Sequence, residues 1–176
     1  VIEPDLAERY EISSDGLEMT FFLRKGIMTH PFEGYPGGVE FTAEDVVWSL
    51  QKSADPKRSN YAGDFKNFEA RAIDKYTVKV RLKQRIPNPE RLLVNYRGGL
   101  LVSKKAYETI GQARFKTNPV GTGPFKFVEY SPGQKVVLAG HDKYFRGKPR
   151  LDGVEAWCMP EANSREFALR RGELHV

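Results

Sequence analysis

A single cysteine, Cys158, stands among the 176 residues, so the chain can form no internal disulfide and no zinc cluster built on cysteine. No run of about 18 apolar residues occurs, which leaves no segment for an ordinary membrane-spanning helix. Histidine is scarce: His30, His141 and His175 lie far apart, and none has a second ligand type at metal-binding spacing. A Gly-x-Ser-x-Gly nucleophile elbow, suggestively spaced carboxylates, internal repeats and low-complexity tracts are all missing. These absences leave an enzyme, a cofactor or a metal without an anchor. His141-Asp142 comes nearest to an acid–base pair, yet it falls in a polar loop after a strand pattern, where solvated side chains are expected. Cys158, beside Met159 in an apolar strand-like run, is expected to be a small buried residue rather than a nucleophile.

What is present suits a packed core, with 40% hydrophobic and 12% aromatic residues. The net charge of +5 raises a small basic nucleic-acid-binding domain as an alternative. The charges alternate in sign along most of the chain without a basic run, so we expect a solvated surface and no nucleic-acid partner.

Residues 6–13 and 17–24 flank Ser14-Asp15-Gly16, and Met19, Phe21 and Leu23 alternate with polar neighbours, which predicts a hairpin with one buried face. Residues 26–38 carry two prolines and four glycines and read as a loop. Thr42 is placed to cap a helix with Glu44 and Asp45 in its first turn and an apolar stripe of Ala43, Val46, Val47, Leu50 and Ala54; Asp55-Pro56 ends it. A second hairpin spans 68–73 and 76–83, with Val78, Val80 and Leu82 inward and Lys79, Arg81 and Lys83 outward. Short helices are expected at 90–94 and at 104–110, the latter capped by Ser103 and closed by Gly111. Strands follow at 125–130, 135–139 and 151–159, then a helix at 164–171. Phe21, Leu23, Val46, Leu50, Val78, Val80, Phe125, Phe127 and Leu138 are the expected core.

The stretch that organises the rest is Asn118-Pro119-Val120-Gly121-Thr122-Gly123-Pro124-Phe125-Lys126-Phe127. Two glycines bracket a threonine between two prolines, which predicts a rigid joint. At least one glycine is expected to hold a positive φ or a close backbone approach, Gly121 before Gly123 because Pro124 biases its predecessor toward an extended backbone. Glu129-Tyr130-Ser131-Pro132-Gly133-Gln134, Tyr144-Phe145-Arg146-Gly147-Lys148-Pro149 and Leu151-Asp152-Gly153-Val154 continue the pattern. Upstream, Asp15-Gly16-Leu17, Thr20-Phe21-Phe22-Leu23-Arg24-Lys25-Gly26 and Phe41-Thr42-Ala43-Glu44-Asp45-Val46-Val47-Trp48-Ser49-Leu50 form a second block. In this order the blocks resemble the periplasmic solute-binding proteins of peptide and nickel ABC transporters, extracellular solute-binding protein family 5, over nearly the whole chain.

The resemblance implies an α/β (mixed α+β) lobe of the type II periplasmic-binding-protein kind, with a central mixed sheet, flanking helices and a small inserted subdomain. Residues 1–42 and 120–176 would share the sheet of the main lobe, residues 43–119 would be the inserted subdomain, and a second lobe would lie outside the sequence. Glu173-Leu174-His175-Val176 stops within an apolar, strand-like run, consistent with a piece of a longer chain; His175 replaces the family's usual acid. The implied partners are a peptide or other small solute and a membrane permease, in the periplasm or outside the cell. No cofactor is implied. Tyr96 and Arg97, an aromatic and a cation beside two glycines, suit a cleft that stacks on a ligand and pairs with its carboxylate; the alternative is a turn whose tyrosine packs on the subdomain. Gly121, Thr122 and Gly123 would present backbone groups to an extended peptide.

Overall fold

The computed structural model describes residues 2–94 and 100–175. The first hairpin forms as β1 (Ala7–Ile12) and β2 (Glu18–Leu23), turning at Gly16, whose φ of 68° needs glycine. The second forms as β3 (Phe68–Asp74) and β4 (Thr77–Leu82). Strand β2 then pairs antiparallel with β4, setting Met19 opposite Val80 and Phe21 opposite Val78, so the two hairpins make one four-stranded sheet in the order β1-β2-β4-β3. This register puts every inward residue of β2 and β4 on one face.

Helix α1 (Ala43–Ala54) covers that face. Its first turn is held by Asp45, whose carboxylate accepts from the Thr42 amide at 2.8 Å and from the Thr42 hydroxyl at 3.3 Å. The one-turn helix α2 (Ala62–Phe65), which sequence periodicity does not show, adds Phe65 beside Phe68. Met19, Phe41, Phe65, Val78, Val80 and Leu82 are sealed from solvent in this core. On the outward face Lys79 of β4 pairs with Glu18 at 3.2 Å, and Lys83, just past the strand, pairs with Glu69 at 3.5 Å. The basic stripe is thus part of a mixed-charge face.

After α3 (Glu90–Leu93), α4 (Lys104–Ile110) starts at its Ser103 cap and stops at Gly111, with α5 (Gln112–Phe115) directly behind. Asp45 and Ser49, one turn apart on α1, fasten this segment. Asp45 accepts from the Lys104 amide at 2.8 Å, and the Ser49 hydroxyl both donates to the Val102 carbonyl and accepts from its amide, each at 3.0 Å. A small second core gathers Ala106, Ile110, Phe115 and Val120. Trp48 turns toward it and meets Tyr107 at 4.9 Å, so it docks on α4 rather than on the sheet.

Strands β5 (Phe125–Ser131), β6 (Lys135–Gly140) and β7 (Gly153–Trp157) form a separate three-stranded antiparallel sheet, followed by α6 (Ala162–Arg170). The fold class is the expected mixture of strands and helices, but every strand pair is antiparallel where a central mixed sheet was expected. The sheet expected to be shared between residues 1–42 and those after 119 is instead two sheets among the described residues. The first hairpin pairs with the 68–82 hairpin, because β2 and β4 expose complementary apolar faces to the same helix, and pairing therefore crosses the expected boundary at residue 42. The expected core residues of the first sheet and α1 are buried except Phe21, which is half-buried like Phe125, Phe127 and Leu138. Cys158 is exposed, contrary to expectation; it lies just beyond the end of β7, the outer strand of its sheet.

Candidate functional site

The Gly121-Thr122-Gly123-Pro124 stretch leads from the second core into β5 and is the junction between the two sheets. His30, from the loop between β2 and α1, reaches into it. Its backbone amide donates to the Gly121 carbonyl at 2.8 Å, its Nδ1 accepts from the Gly121 amide at 3.3 Å, and its Nε2 lies 2.9 Å from the Gly123 carbonyl. An amide can only donate and a carbonyl only accept, so this pattern fixes the neutral tautomer with the proton on Nε2. On the far side of the ring, His141 follows directly after β6. The two imidazoles meet edge to face with centroids 4.9 Å apart, and the His141 amide donates to the Pro124 carbonyl at 2.8 Å. Burial pushes the pKa of both rings down, and on His141 the neighbouring His30 adds to the effect.

This arrangement corrects two expectations. His141 was expected to be a solvated loop residue, but it is buried, because the chain after β6 turns back onto the joint. The joint is rigid without unusual glycine geometry. Neither Gly121 nor Gly123 lies in the left-handed region, a Cβ on Gly121 would sit 3.7 Å from His30 Cε1 in ordinary contact, and one on Gly123 would meet nothing within 4 Å. The His30 ring supplies the restraint that the glycines were expected to supply. The two histidines were legible as residues, but no local pattern could show that positions 30 and 141 meet.

Thr122 is half-buried at the centre of the stretch. Both backbone groups of Gly121 and the carbonyl of Gly123 meet His30, and each carbonyl oxygen keeps a second lone pair. Tyr96 and Arg97 lie outside the described residues. The chain on either side of them, at Val94 and Leu101, borders a cleft of about 610 Å³ between the N-terminal segment, β1 and α1. Its walls are apolar, with Leu6, Phe21, Leu23, Val46 and Leu50, and Glu3, Asp5, Glu8, Arg9 and Glu90 also line it. Among the described residues, no group of three side chains is placed to hold a metal ion.

The family described as bacterial extracellular solute-binding proteins, family 5 Middle, matches residues 1–176. The chain belongs to that family. Heme-binding protein A of Haemophilus influenzae is similar at 32% identity, covering 97% of this chain and 34% of the relative. Two solved family 5 neighbours superpose closely. The binding protein MoaA of A. tumefaciens R10, in complex with mannopinic acid, has 41% identity and a TM-score of 0.88, covering 98% of this chain and 34% of that one. The periplasmic binding protein DppA of Helicobacter pylori, in complex with the peptide STSA, has 32% identity and a TM-score of 0.85, covering 98% and 37%. The family 5 chain described here spans about a third of the length of each of these relatives.

Proposed function

We propose that the chain is part of the first lobe of an ABC-transporter substrate-binding protein that captures a peptide or similar small solute between two lobes and delivers it to a membrane permease. The observation that carries this reading is the agreement along 98% of the chain with a protein solved around a small bound solute, at 41% identity. The family is one of solute-binding proteins. We extend that to this chain as binding without catalysis, acting outside the cytoplasm. Closure of one lobe over solute held on the other would draw its energy from the higher affinity of the closed state. Tyr96 and Arg97, with Gly121, Thr122 and Gly123 of the joint, are the residues we assign to the solute; a second lobe, in the remainder of a longer protein, would supply the other contacts.

Calorimetry tests this with the full-length protein and the 176-residue chain side by side. The full protein should bind a short peptide or an amino-acid conjugate and the chain alone should show no appreciable binding, since a two-lobed site divides its contacts. Equally tight binding by the chain alone overturns the shared-site reading. A salt-sensitive shift with random DNA would instead support the basic-domain alternative.

A further inference from the structure

The His30–His141 pair is not used by the solute-binding reading. Each ring comes from a different sheet unit, and both are more than nine-tenths buried, at 6% and 5% exposure. Both ring nitrogens of His30 are committed to the Gly121 amide and the Gly123 carbonyl. His141 Nε2 is buried with no hydrogen-bond partner among the described residues.

An added proton has no good place at this site. On His30 it must go to Nδ1, which then becomes a donor facing the Gly121 amide, so a hydrogen bond turns into a repulsive contact. On His141 it places a charge on a buried ring whose Nε2 has no hydrogen-bond partner among the described residues. The charged groups acting on the pair do not offset this. Lys126 of β5 acts on both rings and Lys143 on His141, each opposing protonation. Among the described residues the carboxylate that acts on the pair, Asp142, favours it at His141 but is already paired with Lys148 at 3.1 Å.

We propose that the His30–His141 pair is an acid-operated latch on the joint between the two sheet units, closed when both rings are neutral and released when either takes a proton. The direction follows from linkage. Both rings bind protons more weakly folded than unfolded, so their stabilisation is complete above the ordinary histidine value of about 6.5 and is lost as pH falls below it. Release at the joint would leave the four-stranded core intact, because β1, β2, β3, β4 and α1 carry no histidine.

The test is a pH titration of the 176-residue chain by NMR, following both imidazoles, the Gly121 and Gly123 amides and hydrogen exchange. Both rings should titrate below about 6.5, the two glycine amides should shift with the same midpoint, and exchange should quicken at 28–32 and 118–126 while β2 and β4 stay protected. His141→Phe keeps a ring in contact with His30 and removes the unpartnered nitrogen. It should fold, and the slope of stability against pH in acid should fall by about one proton. Imidazoles that titrate at or above 6.5 overturn the latch, as do joint amides indifferent to ring protonation or an unchanged slope in His141→Phe.

Discussion

The two sheets of this chain are built from similar hairpins but end in different states. In the four-stranded sheet, Met19, Val78 and Val80 are wholly buried under α1, and Phe65 closes the far end. In β5, β6 and β7 no residue is fully buried, and Val128, Tyr130 and Trp157 are each about half-exposed or more. The difference is coverage rather than strand quality. Helix α1 lies along the first sheet with a continuous apolar stripe, whereas α6 keeps Phe167 and Leu169 largely in solvent and buries only Ala168. The first unit is therefore held by its own hydrophobic core. The second is held by ladder hydrogen bonds and by its attachment at the His30–His141 joint, with Arg146 reaching back to Asp5 at 3.1 Å and Phe145 packing on the first core.

The sharpest way to break this contrast is truncation in each core. Phe65→Ala should cost about 3–5 kcal/mol, and Leu138→Ala, half-buried in β6, about 1 kcal/mol, both read from urea denaturation. Equal costs would mean that the two units share one core. Backbone substitution comes next. Gly38 has φ of 75° and an added Cβ would overlap the Thr29 carbonyl oxygen, so Gly38→Ala should cost about 2 kcal/mol or more by the same measurement. Asp45→Ala removes the acceptor shared by the starts of α1 and α4 and should cost about 2 kcal/mol, with loss of hydrogen-exchange protection at Thr42 and Lys104 as its signature.

A smaller effect tests the loop that crosses the first unit. Glu40 accepts from the Lys75 ammonium at 2.6 Å, the Gly26 amide at 2.8 Å and the Tyr76 hydroxyl at 2.9 Å, which hold its pKa down to about 2. A depressed carboxylate stabilises fully above its unfolded value of about 4.3 and loses that contribution as pH falls toward 2. Glu40→Gln should therefore cost about 1 kcal/mol at neutral pH and nearly nothing at pH 2, seen as a flattened acid limb in the stability–pH curve. The smallest expected effect is at the joint itself: Gly121→Ala and Gly123→Ala should each stay within about 0.5 kcal/mol of the parent. A larger loss at either glycine would restore the conformational role that their geometry denies.

Local chemistry was readable from the residues because it operates over three or four positions. The Thr42 and Ser103 starts, the Gly111 stop, the Asp55-Pro56 break and the alternation in β2 and β4 all repeat within one turn of helix or one pleat of strand. The blocks that mark the family were readable for the same reason, since they are contiguous. The one-turn helices α2 and α5 escaped because four residues are too few to establish a period, whereas α3, equally short, follows Pro87 and Pro89 and was expected. The candidate solute residues were legible as types in a suggestive setting, an aromatic and a cation beside glycines, whereas the geometry of the joint around Gly121 and Gly123 was not. By itself the sequence determined the hairpins, the capped helices and the family. Only the tertiary structure decided that β2 pairs with β4, that Asp45 also holds Lys104, 59 residues on, at the start of a second helix, and that His30 meets His141. Those contacts depend on how long loops close, and a loop's closure leaves no periodic trace in the residues at its ends.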